Sequence, residues 1–161
     1  MSTTPTGDLA LTLWNLENLI AGSAGFQAEC GITTGTVEAK LTAARAFVFW
    51  LGEQPPDAKT FAWIRLRNPQ TWKREDANAG AMMPKLALLL MLERATLKTV
   101  EAKERHIQAL NFFGAVIEQI KTASGGAGTL AITNLSLDSV KRSDPKEETA
   151  FDQALISVEV W

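Results

Sequence analysis

The chain has 161 residues, a length typical of one domain with one core, so we expect a single domain over residues 1–161. Hydrophobic residues make up 46% and charged residues 21%, a balance unlike that of a disordered or membrane-spanning chain. Sixteen basic and eighteen acidic residues give a formal net charge of -2, which argues against nucleic-acid binding as the main activity because phosphate backbones require a positive field.

The first predicted element is a helix that begins near Asp8 and ends before Gly22. Asp8 is expected to cap it, because its carboxylate can accept the free amide hydrogens of the first turn. Residues 1–7 are expected to form a short flexible arm. The apolar residues of the helix recur at spacings of four and three, which places them on one side: Leu9, Leu13, Leu16 and Ile20.

A second, shorter helix is predicted from about Thr36 to Arg45, with a strand after it at 47–50. One longer helix, continued through Val48 and Leu51, is the alternative. The aromatic and β-branched character of this segment favours the strand.

Another strand is predicted from Phe61 to Arg67, where alternation places Ile64 inward and Trp63, with Arg65 and Arg67, on the other face. Residues 68–84 contain two prolines and no clear period, and they predict a long loop. A loop of this length in a small domain is usually functional or mobile.

A central strand buried on both faces is predicted from Leu86 to Arg94, because the apolar residues run without alternation from Leu86 to Leu92. A long amphipathic helix follows from Glu101 to about Ala123. Gly114 lies within its apolar stripe, and close approach to the sheet is the expected reason for a glycine there. The stripe predicted to face the sheet consists of Ile107, Leu110, Phe113, Gly114, Ile117 and Ile120.

The remaining sequence predicts a hairpin with its turn at 143–148 and its last strand near Ala154 to Val160. Apolar alternation slips at Asn134, which predicts a bulge. The complete pattern is that of an α+β domain. A mostly antiparallel sheet of about five strands packs against the long helix, and an N-terminal helix and a short second helix precede it.

Few residues suggest catalytic or metal chemistry. His106 lies among solvated charges without a second histidine, and Cys30 has no activating neighbour, so both are predicted to be ordinary residues in a reducing compartment. Gly125 to Gly128 follow a helix, the reverse of a phosphate loop. Five acidic residues near the last hairpin lack calcium-loop spacing and are predicted to be solvated: Asp138, Asp144, Glu147, Glu148 and Asp152. No catalytic residue, metal or cofactor is predicted.

Five tryptophans are many for a chain of this length. Trp14 and Trp50 lie in apolar runs and are expected in the core, whereas tryptophans outside such runs favour an interface, where this residue type is enriched. The candidate subunit or partner interface consists of Trp72, Lys73, Arg74, Met82, Met83, Arg65, Arg67 and Trp161. The last strand is expected to offer a sheet edge to a neighbouring chain.

The order of these segments resembles that of tail-terminator and tail-completion proteins of long-tailed bacteriophages. The residues that carry the resemblance are Ala24 to Gly31, Leu86 to Leu92, Phe112 to Gly114, Leu130 to Leu137, Arg142 to Pro145 and Leu155 to Trp161. The resemblance implies a virion structural protein of the tail and neck, assembled in the host cytoplasm, with no enzymatic activity and no cofactor.

The resemblance also implies the partners. Copies of the chain would form a ring, typically of six, which caps the tail tube protein and contacts the head connector. No membrane and no specific nucleic-acid sequence would be bound, although genome DNA can pass through such a ring. The alternatives are a head-completion adaptor, a small enzyme or ligand-binding domain with a pocket between the long helix and the sheet, and an oligomeric protein without a phage role.

Overall fold

The computed structural model describes residues 3–50, 52–53, 60–73, 83–97, 100–123, 132–142 and 149–160. Within these ranges the elements follow in the order α1 (Gly7–Ala21), α2 (Ala24–Glu29), α3 (Val37–Phe47), β1 (Val48–Trp50), β2 (Phe61–Lys73), β3 (Met83–Leu97), α4 (Ala102–Ala123), β4 (Ile132–Arg142) and β5 (Thr149–Val160). The α+β class is confirmed, and the predicted long helix packs on the sheet.

Local side-chain chemistry sets where the first helices begin. At α3 the Thr36 hydroxyl accepts a hydrogen bond from the Ala39 amide at 3.0 Å, and Ser23 caps α2 in the same way. The N-cap residue of α1 is Thr6, whose side chain makes no capping bond, so the prediction that Asp8 caps this helix is wrong. Asp8 lies in the first turn, where its charge suits the positive end of the helix dipole.

Helix α1 begins at Gly7, inside the segment that was expected to be an arm. Helix α2 is not predicted by the sequence pattern, because six residues are too few to show a helical period. A Cβ atom added at Gly25 of α2 would lie 2.5 Å from the Cβ of Ala115. The close approach that requires a glycine therefore lies between α2 and α4.

The strands form one mixed sheet in the order β1-β2-β3-β5-β4. β1 pairs with β2 in parallel, and all other neighbours are antiparallel. Because β5 pairs with β3 on one side and with β4 on the other, the prediction that the last strand offers a sheet edge is wrong. The edges of the sheet, over the described residues, are β1 and β4.

Edge strand β4 is irregular. Its pairing with β5 shifts register between Ile132 and Asn134, which confirms the bulge predicted at Asn134, and shifts again between Leu137 and Ser139. Bulges bend an edge strand and interrupt the backbone groups that an added strand would need. β4 is therefore poorly suited to pairing with another chain.

The prediction of a long loop over residues 68–84 is wrong at both ends, because β2 continues to Lys73 and β3 begins at Met83. A register shift follows Arg67, and regular pairing resumes at Thr71. The segment in between is polar and contains a proline, so the sequence does not show that the strand continues. A strand can continue past one irregularity in its pairing.

All four helices share one core with one face of the sheet. In β3, Leu86, Leu88, Leu90 and Leu92 face this core and are at most 1% exposed. Residues 87, 89 and 91 point to the opposite face and are only half-buried, so the prediction that β3 is buried on both faces is wrong. The sheet has one covered face and one open face.

The face that helix α4 buries overlaps the predicted one only in part, since Phe113 and Ile120 are buried as expected. Ile107 and Leu110 were expected to face the sheet, but each is 43% exposed. No atom lies within 4 Å of a Cβ built at Gly114, so the expected close approach of the sheet there is also wrong. The face that packs on the sheet carries the larger aromatic area, and its buried residues are Arg105, Ala109, Phe112, Phe113, Val116 and Ile120.

No helix within the described ranges combines the length and the apolar character needed to cross a lipid bilayer.

Candidate assembly surfaces

The structure places some of the predicted interface residues on one strand. Arg65, Arg67 and Trp72 are exposed in β2. Lys73 and Met83 are paired across β2 and β3. Arg74, Met82 and Trp161 lie outside the described residues.

Trp72 lies near the end of β2, 39% exposed. Its indole nitrogen donates to Asp8 Oδ2 at 3.3 Å, which links the end of this strand to the first turn of α1. The tryptophan therefore has a role within the subunit and still presents apolar surface outside it.

Arg67 is engaged within the chain. Its Nη1 donates to Ser157 Oγ at 2.7 Å, and Ser157 in turn donates to Asp138 Oδ2. Asp138 also accepts a bond from Ser136 Oγ at 2.8 Å. The hydrogen bonds from Ser157 and Ser136, with the Arg67 charge nearby, lower the pKa of Asp138 below its ordinary value of 3.8. This network joins β2, β5 and β4 across the open face.

An apolar strip lies next to this network on the open face. Register places Trp63 of β2 opposite Met91 of β3, which is opposite Leu155 of β5, and Leu89 lies opposite Arg65. These side chains line a cavity of about 160 Å³. We call Trp63, Leu89, Met91 and Leu155 the open-face strip. It spans three adjacent strands, and no described helix covers it.

The indole nitrogen of Trp63 is buried and has no hydrogen-bond partner among the described residues. A buried N–H group without a partner costs about 1–3 kcal/mol. The Trp63 side chain lines the cavity of the strip together with its apolar neighbours.

A second apolar surface lies on α4 and extends from its exposed face to the margin of the core, where Ile117 is partly buried. Ile107, Leu110, Gly114 and Ile117 follow one another at spacings of three, four and three, which places them along one line of the helix. We call these four residues the outer stripe. Lys103 and Lys121 extend the same line at its two ends, at helical spacing.

The comparisons with known proteins give no assignment. No protein-family model and no curated protein matches the chain. Its function is therefore argued from the geometry of its own surfaces.

Trp14 and Trp50 were both expected in the core. Trp14 is 45% exposed, so that expectation is wrong for it. Trp50 packs against the core, and its indole nitrogen donates to Glu17 Oε2 at 2.7 Å. Glu17 and Trp50 line an open cleft together with Arg45 and Glu53. Burial raises the pKa of Glu17 above its ordinary value of 4.5.

A buried charged cluster lies where α4 meets β3 and β5. Asp152 has no exposed surface, and its Oδ2 lies 3.1 Å from Arg105 Nε and 4.0 Å from Arg94 Nη1. Arg94 also contacts Glu29, and its Nη2 donates to Gln108 at 2.7 Å. The cluster connects α2, α4 and two strands, and its hydrogen bonds make it a structural support for the fold.

The prediction that Asp152 is a solvated hairpin residue is wrong. Its position in the sequence does, however, indicate that it is buried. Asp152 shares the inward phase of Ala154 and Ile156 along β5. Arg105 likewise lies four residues before Ala109 on the buried face of α4. Ionisable residues in phase with a core face predict a buried pair, because each needs a partner there.

The remaining side chains of interest are His106 and Cys30. His106 is exposed on α4. Burial raises the pKa of Cys30 to about 12, which keeps the thiol protonated and unreactive. Within the described residues there is no group of histidine, cysteine or acidic side chains arranged to hold a metal ion.

Proposed function

We propose that this protein is a structural subunit of the tail-terminator type. Copies of it form a ring that caps a phage tail tube and joins the tail to the head connector, and its role is assembly without catalysis. The ring is expected to contain six copies, as the resemblance of the sequence implies.

The observation that carries this proposal is the presence of two dissimilar apolar surfaces on one subunit. The open-face strip is shared by three strands, and Leu110 of the outer stripe is 43% exposed. Surfaces of this kind mark interaction sites. A closed ring uses two different surfaces on every copy, one at each contact, and a two-surface subunit meets that requirement.

The order of elements also supports the proposal. A short helical N-terminal part, a hairpin of β2 and β3, a long helix and a second hairpin follow one another as the resemblance leads us to expect. Arg65 on the open face offers a charged position at the margin of the strip, as expected for the polar rim of an interface.

Native mass spectrometry and negative-stain imaging of the purified chain test the proposal. We expect rings or short stacks of rings, with six as the commonest number of copies. A chain that stays monomeric at high concentration would contradict it.

A second measurement addresses the partner. The rings should cosediment with tail tubes and not with portal complexes, because a terminator binds the tube. Cosedimentation with portal complexes alone would instead favour a head-completion adaptor.

A further inference from the structure

The open-face strip is about as wide as one helix lying along its strands. Three strands at a spacing of about 4.8 Å carry the strip across about 10 Å, and a helix with its side chains is about 10–12 Å in diameter. In this orientation the outer stripe, in which Ile107 and Ile117 are separated by about 15 Å at 1.5 Å per residue, runs parallel to the strands. Engineered cavities of about 150 Å³ accept benzene, so the cavity of about 160 Å³ in the strip has room for one leucine side chain.

The charges at the ends of the two surfaces are opposite. Lys103 and Lys121 lie at the ends of the outer stripe, about 27 Å apart along the helix. On the open face, Glu93 lies beyond one end of the strip and Glu159 beyond the other, about 20 Å apart along the strands. The flexible four-carbon stems of the lysines can cover the difference.

Glu93 in particular lacks a cation. It is half-buried, it accepts only a long hydrogen bond of 3.4 Å from Gln153, and it forms no ion pair with the described residues. Lys121 is paired with Glu118, but both side chains are more than half exposed, and such a pair contributes little. A lysine from a second copy would therefore supply Glu93 with the counter-ion that it lacks among the described residues.

Gly114 supplies an independent observation. Glycine inside a helix costs about 1 kcal/mol relative to alanine, and nothing in the described subunit requires one here. Its neighbours on the stripe, Leu110 and Ile117, leave a notch above the helix backbone. A notch of this kind allows a packed surface from outside to approach closely.

We propose that the outer stripe of one copy packs on the open-face strip of the next copy, in a head-to-tail contact. This inference rests on the proposed function only in requiring that the chain self-associates. The charges select a second copy as the occupant, since the acids that match Lys103 and Lys121 lie on the same chain. Helix α4 then lies between two sheets, its own and its neighbour's.

The alternative contact through the edge of β4 is less suitable. Two register shifts interrupt its pairing, and the exposed Lys141 lies near its end. Both features are typical of edges that avoid further pairing.

Two variants test the contact by complementation. Leu110→Glu damages the outer stripe alone, and Leu89→Glu damages the strip alone. The isolated subunit tolerates the second change because Arg65 lies opposite that position. Each variant should weaken assembly at least about 30-fold, the effect of a central interface residue. Mixed together they should form a 1:1 dimer that cannot extend, since each retains one intact surface.

The matched control is Leu41→Glu on α3, where the leucine is exposed to a similar extent, 50% against 43% for Leu110. It should assemble as the wild type does. Thermal unfolding by circular dichroism establishes that each variant is folded. Native mass spectrometry counts the copies.

The outcomes separate this inference from the proposed function. A monomeric wild type overturns both. A wild type that assembles, with a Leu110→Glu or Leu89→Glu variant that assembles equally well, overturns only the head-to-tail contact. A mixture of the two variants that stays monomeric also overturns it, as does loss of assembly in Leu41→Glu.

Gly114→Leu gives a readout that does not depend on adding charge. The open space at this position should leave the subunit at least as stable as the wild type, while the filled notch weakens assembly at least about 10-fold. Unchanged assembly in this variant would overturn the role given to the notch.

Discussion

Asp152→Asn is expected to destabilise the fold severely, although it changes only one oxygen to an amide nitrogen. The carboxylate has no exposed surface and accepts from Arg105 at 3.1 Å. After the change, the side-chain amide can still offer one oxygen to Arg105, which also keeps its bond to the carbonyl oxygen of Phe151 at 2.8 Å, but the negative charge that balances this buried guanidinium is lost. Arg94 is less affected, because it also contacts Glu29 and Gln108.

Removing one partner of a buried ion pair typically costs about 3–5 kcal/mol, since a desolvated charge is left uncompensated. For a domain of this size 1 kcal/mol corresponds to about 2–4 °C in Tm. We therefore expect Asp152→Asn to lower Tm by roughly 6–20 °C. Urea unfolding followed by circular dichroism measures the same loss as a free energy.

The control is Glu118→Gln, which breaks the pair with Lys121. That pair is shorter, at 2.6 Å, but its side chains are 55% and 60% exposed. Its loss should cost at most about 1 kcal/mol, because water screens both charges. If Asp152→Asn and Glu118→Gln shift the unfolding free energy equally, burial is not what gives the Asp152 cluster its strength.

Three further predictions follow from the described residues. Gly25→Ala should destabilise the protein by about 1–3 kcal/mol, because the added Cβ would lie 2.5 Å from Ala115. Gly114→Ala should instead stabilise it by up to about 1 kcal/mol. Chemical unfolding measures both changes in unfolding free energy, and changes of the same sign would contradict the contacts assigned to the two glycines. Cys30 should react slowly with a thiol reagent at pH 8 until the protein is unfolded, because a pKa of about 12 instead of 9.0 leaves roughly 1,000-fold less thiolate; rapid reaction of the native protein would show that the thiol is not buried. Burial raises the pKa of Glu93 above its ordinary value of 4.5, so the native state keeps this proton to higher pH than the unfolded state does, and stability attributable to this group falls as pH rises above 4.5. Glu93→Gln should flatten that dependence, and an unchanged slope in pH-dependent unfolding would refute the assignment.

The sequence predicts the elements better than it predicts their faces. The extent of α4 follows from its helical period, but the helix carries two apolar lines, and periodicity alone does not say which one faces the sheet. Phe112 and Val116 lie inward in the structure, whereas Ile107 was expected there. The choice depends on packing against residues far away in the chain, which no local pattern contains.

The same limit applies to the candidate surfaces. Leu89 and Met91 lie in a continuous apolar run, which indicates two buried faces, yet one face has no covering layer within the subunit. Trp63 and Arg65 were correctly predicted to share a face. Their meeting with Leu155 depends on β5 entering the sheet next to β3, a strand order that the sequence does not specify.

The position of β5 has a consequence for synthesis of the protein. Leu90 pairs with Ile156, and every β3–β5 partner is similarly distant along the chain. During translation, the leucine-rich strand β3 leaves the ribosome before its neighbour β5, because β5 is synthesised much later. Long-range pairing of this kind is slow and exposes apolar surface in the meantime. The apolar groups of β3 therefore gain their β5 partners only after the last strand has been made.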